Sequence, residues 1–126
     1  MPYVVVTSNV AASGVSATPA MAAISRALAA ALSKPETVVM VQLCLDTPML
    51  FAASDAPCAM IQLRSIGKVD LEHNPTTVAA LTDVVSQVLS VPADRIFMNL
   101  DDIERTNWAR SGNLVLAPAS LPAPTV

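Results

Sequence analysis

Basic side chains are few and scattered in this chain. Seven Lys and Arg stand against ten Asp and Glu, for a formal net charge of −3, and no two basic residues form a cluster. With a pI near 4.8 there is no positive field to attract a phosphate backbone, so nucleic acid is excluded as an expected partner. Cysteine is nearly absent too. Cys44 and Cys58 lie far apart in apolar runs, without a CxxC or Cys/His metal spacing, and are expected as buried free thiols. The single histidine, His73, has no matching ligand set and is expected in a solvated loop; no metal and no cofactor are expected. The alanine-rich stretch from Pro19 to Leu32 is too short to span a bilayer and is interrupted by Ser25 and Arg26, so membrane insertion is not expected. The first residues alternate like a strand and lack the basic start of a secretory signal. A cytoplasmic location follows as the expectation, with secretion by a non-classical route as the alternative.

What the chain has in abundance is apolar material. At 53% hydrophobic residues and only 13% charged, over 126 residues, it suits one domain with one core. A mean hydropathy of +0.54 leaves more apolar surface than a monomer can cover, which points to self-association. Tyr3 to Ser8 reads as a strand, and Asn9 to Ala17 as a loop. Thr18-Pro19 is expected to cap a helix over about residues 19–33, with Met21, Ile24, Leu28 and Leu32 on its buried face and Pro35 beyond its end. Val38 to Leu45 is a continuous, β-branched run, expected as a central strand covered on both faces. The order then repeats. Cys58 to Ile66 is a strand; Asn74-Pro75 opens a helix that buries Val78, Leu81, Val85, Val88 and Leu89; Ile96 to Leu100 is a further central strand. The fold class is α/β (α+β): a duplicated beta-alpha-beta unit whose two helices pack on one face of a four-stranded sheet. The other sheet face is expected to be apolar and uncovered. One domain over residues 1–116 precedes a flexible Pro/Ala-rich tail, residues 117–126, and Asp101, Asp102 and Glu104 are expected in a solvated turn.

Pro2 stands directly behind Met1. An N-terminal proline freed of Met1 is a secondary amine. An α-amino group titrates near pH ~8, and modest desolvation leaves it neutral and basic, the state a general base needs.

Five segments then fall in register: Met1-Pro2, Ser33-Lys34-Pro35, Asp55-Ala56-Pro57-Cys58-Ala59, Ser65-Ile66-Gly67-Lys68, and Pro92-Ala93-Asp94-Arg95-Ile96-Phe97. In this order and spacing, over roughly residues 2 to 115, the chain resembles the macrophage migration inhibitory factor and D-dopachrome tautomerase family. That resemblance implies a homotrimer whose three sheets enclose a barrel, with a pocket at each subunit interface. It implies catalysis by Pro2, carrying a proton between carbon and oxygen of an enolisable carbonyl compound. Lys34 matches the lysine that pairs with the substrate carboxylate. Read alone, Lys34 better fits a lysine at the negative end of a helix; in register with Pro2, the carboxylate role is the expectation. Ser65 and Ile66 match the strand end along the pocket, with the Ile66 N–H as donor to substrate, and Asn99 matches a pocket amide from the neighbouring subunit.

Departures from the family pattern are informative. Phe97 keeps the ring of a pocket tyrosine and loses its hydroxyl; Val38 replaces a second tyrosine, and Val115 stands near a C-terminal aromatic. The segment from Asn107 to Asn113 aligns in two registers, one putting Trp108 and the other Arg110 at the pocket rim, where Arg110 would offer a second carboxylate anchor. Ile61 replaces the second cysteine of the family's Cys-x-x-Cys, which removes the dithiol. The function implied is a cofactor-free keto-enol tautomerase acting on small aromatic α-keto acids such as phenylpyruvate, or on dopachrome-like compounds. The alternative is a cytokine-like ligand of a cell-surface receptor with a vestigial tautomerase pocket.

Overall fold

The computed structural model describes residues 1–116; the expected tail at 117–126 lies outside the described residues. Four strands, β1 (Pro2–Ser8), β2 (Met40–Cys44), β3 (Ala59–Ser65) and β4 (Ile96–Asp102), form one sheet in the order β2-β1-β3-β4. β1 runs parallel to β2 and antiparallel to β3, and β3 runs parallel to β4. Two helices, α1 (Ala17–Leu32) and α2 (Asn74–Leu89), are the crossovers of the two beta-alpha-beta units and pack on each other as well as on the sheet. The duplicated organisation read from the sequence is the one present.

The core lies between helices and sheet. α1 contributes Ala20, Ile24, Leu28, Ala29 and Leu32, and α2 contributes Thr77, Leu81, Val85 and Leu89, a strict i, i+4 stripe. Val4, Val6, Ile61 and Leu63 meet them from the two inner strands. Met21, Val78 and Val88, expected in the core, are only half-buried, because the fully buried stripes run through Ala20 on α1 and from Thr77 to Leu89 on α2. Both helices end alike: Ser33 and Ser90 take left-handed geometry, with φ of 51° and 55°, and each is followed two residues later by proline.

Three expectations are corrected. β2 and β4 are the edges of this sheet, not its centre; an apolar run signals burial but does not say which strand receives a neighbour on both sides. The uncovered face is mixed rather than apolar. Its rows, read across the register, are Met40-Tyr3-Arg64-Asp101, Gln42-Val5-Gln62-Asn99 and Cys44-Thr7-Met60-Phe97. Finally, helix starts slip by one or two residues. α1 begins at Ala17 behind Ser16, so Thr18 lies inside it, and Asn74 is the first residue of α2 behind His73. His73 is therefore a structured helix-start residue: its backbone N–H and Nδ1 reach Asp70 Oδ1 at 2.8 and 2.7 Å. No helix among the described residues is long and apolar enough to cross a membrane.

Candidate active site

The residues singled out in the sequence divide into two places. Pro2 opens β1 and is buried, with Ser65 as its cross-strand partner at the end of β3. Lys34 follows the αL turn that ends α1. Its backbone N–H returns to Ala29 O at 2.9 Å, closing the helix, while its side chain leaves the helix and donates from Nζ to Ile66 O at 2.9 Å. The carbonyl end of α1 is served by a different cation, since Lys68 Nζ donates to Leu32 O at 2.7 Å. Lys68 thus shares the end of α1, which Lys34 directly follows.

An open cleft of about 440 Å³ lies over the start of β1, a volume in the range of small-molecule sites. Met1, Pro2, Tyr3, Val38, Trp108 and Arg110 contribute to its walls. A small hairpin brings the last two there. β5 (Ala109–Arg110) pairs antiparallel with β6 (Asn113–Leu114) across Ser111-Gly112, both at positive φ (54° and 78°), the geometry of a two-residue type I′ turn. The hairpin places both Trp108 and Arg110, the residues of the two registers, on the cleft. Sequence reading missed the hairpin, although Ser-Gly between short extended runs is a turn signal.

Electrostatics around the amino group favour its neutral form. The amino group of Met1 is pushed down from near 8.0 to about 5, first by burial, then by a hydrogen-bond contact with Lys34, then by the charges of Lys34 and Arg105. Arg105, in the 3-10 turn Arg105–Asn107, was not singled out from the sequence. A second feature beside Pro2 is Ser65. It is fully buried, and its Oγ has no hydrogen-bond partner among the described residues. Loss of Met1 would expose the Pro2 nitrogen toward the space that the methionine now lines. The arrangement can then present a secondary amine, an adjacent cation and an apolar wall.

Phe97 and Asn99 are elsewhere. Both lie on β4, on the sheet face opposite Pro2, with β3 between their strand and β1. Within one chain they do not join the cleft. Phe97 is 63% exposed and makes an edge contact with Phe51, ring centroids 4.6 Å apart. It helps line a second, apolar cavity of about 460 Å³ that includes Met49, Leu50, Phe51, Cys58 and Met60. Arg95 holds this region: its guanidinium sits 5.1 Å from the Phe51 ring centre and donates to the carbonyls of Phe51, Ser54, Ala56 and Pro57. Arg95 thereby ties its own matching segment, Pro92 to Phe97, to the one from Asp55 to Ala59. The acidic turn is also revised, because Asp101 and Asp102 belong to β4. Asp101 stands 3.8 Å from Arg64, and Asp102 Oδ1 accepts from Gly67 N at 3.0 Å. Cys44 and Cys58 are free; Cys58 is buried, whereas Cys44 is only half-buried.

Comparison with known proteins identifies relatives of this chain. The family model for macrophage migration inhibitory factor matches residues 1–116. The macrophage migration inhibitory factor of Xenopus laevis is 30% identical over 113 residues, covering 90% of this chain and 97% of that protein. The homolog from Brugia malayi is 31% identical over 113 residues, with the same two coverages. Among solved structures, the macrophage migration inhibitory factor homologue from Prochlorococcus marinus superimposes with a TM-score of 0.84 at 28% identity, covering 90% of this chain and 98% of that one. With a matched family model spanning the whole described fold, the chain belongs to the macrophage migration inhibitory factor family.

Proposed function

We propose that this protein is a cofactor-free keto-enol tautomerase of small aromatic 2-oxo acids, phenylpyruvate being the model substrate. The observation that carries the reading is the amino terminus itself: a buried proline, one residue from a chain start whose amine is held near 5, beside Lys34 and at the foot of an open cleft. In the free-amine form, the Pro2 nitrogen takes the proton from the carbon next to the carbonyl while the C–H pair moves to form the C=C bond. The carbonyl pair moves onto oxygen, and the proton is delivered there; the substrate is isomerised with no net oxidation. Lys34 holds the carboxylate and disfavours the ammonium form of the amine. The Ile66 N–H donates to substrate, and Val38 and Trp108 form the apolar wall.

The assembly belongs to this proposal. A homotrimer gives the uncovered sheet face a partner and allows a neighbouring subunit to bring Phe97 and Asn99 to the cleft, where the Asn99 amide bonds a substrate oxygen. Phe97, having no hydroxyl, contributes packing alone.

The test is turnover of phenylpyruvate by protein lacking Met1, with Pro2→Gly as the variant. Activity that falls by at least a hundred-fold in a folded Pro2→Gly protein supports the reading. Equal activity in both sinks it, and absence of turnover in the wild type leaves the receptor-ligand reading ahead.

A further inference from the structure

Cations are the rarest polar resource of this chain, and their use is uneven. There are seven: Arg26, Lys34, Arg64, Lys68, Arg95, Arg105 and Arg110. Arg95 is spent on four loop carbonyls, Lys68 on the end of α1, and Arg64 faces Asp101. Arg26 is exposed on α1. The remaining three gather at one place. Lys34, which also donates to Ile66 O, and Arg105 act on the Met1 amino group, and Arg110 is part of the cleft wall. Neither Arg105 nor Arg110 has a side-chain hydrogen bond or a carboxylate partner among the described residues, and no Asp or Glu lines the cleft. In a protein of net charge −3 this is a local excess of unpaired positive charge. One substrate carboxylate needs only one of these cations.

We propose that the cleft selects a 2-oxo acid bearing a second acidic group, whose carboxylate is held at the rim by Arg110 within the field of Arg105, while Lys34 holds the 2-oxo acid end. This rests on the tautomerase reading for its orientation and adds the substrate class. The rim position is fixed by the β5-β6 turn, which sets Arg110 immediately before Ser111-Gly112 on a two-residue hairpin. A guanidinium there presents a planar fork to a carboxylate. Val38 and Trp108 leave an apolar stretch of wall suited to a ring or short chain between the two acids. Arg105 adds attraction without needing contact, having no carboxylate within ion-pair distance among the described residues.

The experiment compares phenylpyruvate with para-carboxyphenylpyruvate on protein lacking Met1, by calorimetric Kd and by turnover. Because Arg110 is exposed, the expected preference is modest: the diacid binds about three- to ten-fold tighter, and the gap shrinks as salt is raised. Arg110→Gln brings the Kd ratio to about one, whereas Arg26→Gln, which makes the same change in net charge outside the cleft, leaves the ratio in place. Equal or weaker binding of the diacid by the wild type overturns the proposal, as does an unchanged ratio in Arg110→Gln. A preference in Kd without turnover of either compound supports the two-acid cleft and refutes the tautomerase reading, so the two failures are distinguishable.

Discussion

Replacing Lys34 with alanine removes one charge that the proposed mechanism uses twice. As a carboxylate anchor it would make a charge-assisted hydrogen bond of about 1.5 to 3 kcal/mol, so kcat/KM for phenylpyruvate should fall roughly ten- to a hundred-fold. Half-burial of Lys34 places the effect toward the lower end. The second use is visible in pH dependence. Lys34 is among the groups that depress the Met1 amine, through both its hydrogen-bond contact and its charge, after burial as the largest cause. A Pro2 amine freed by loss of Met1 should feel the same positive charge, so without Lys34 it should titrate higher, less of it should be free base at neutral pH, and the acid limb of the kcat/KM profile should move upward. Part of the loss at pH 7 should therefore be recovered at pH 9, whereas loss of the anchor should not. Initial rates for phenylpyruvate and for its methyl ester, measured from pH 5 to 9, separate the two effects: the ester keeps the shift of the limb and escapes the anchoring loss. Circular dichroism checks that releasing the Ile66 carbonyl does not unfold the strand end. Equal losses for acid and ester together with an unmoved limb would refute both roles.

Ser65→Ala should leave thermal stability unchanged or raise it, because it deletes a buried hydroxyl that has no partner; a destabilisation above about 1 kcal/mol in a urea titration would show that the hydroxyl is satisfied. Leu81→Ala, at a fully buried position of the α2 stripe, should cost about 2 to 5 kcal/mol in the same titration, and a cost below 1 would misplace the core. Light scattering should report three subunits at micromolar concentration, with a monomer mass contradicting the interface role given to Phe97 and Asn99.

The fold was legible because its signals are periodic and local. Two apolar helical stripes, two Pro-terminated crossovers and four β-rich runs specify the duplicated unit and the helix-covered face. Strand order was not legible in the same way. The run from Val38 to Leu45 is as apolar as an inner strand, yet β2 is an edge, since lateral neighbours depend on topology rather than on composition. The site residues expected near Pro2 came from the resemblance of five segments in register to a known family, not from a local spacing rule. Arg105 and Arg110 were harder to read: one lies in a 3-10 turn without a motif, and the other gains its place only through a two-residue hairpin far along the chain. The partner of Lys34 was equally hidden, as a side chain reaching across from a helix end to the Ile66 carbonyl leaves no spacing rule in the sequence.

The central claim is that a free Pro2 amine is the base, and the most direct measurement compares two forms of the same chain, Met1-free and Met1-retained, each verified by intact mass, in a phenylpyruvate tautomerase assay. In the retained form the Pro2 nitrogen is an amide with no basic lone pair, and Met1 lines the cleft. Turnover confined to the Met1-free form is the predicted result; equal turnover by fully Met1-retained protein would contradict the mechanism.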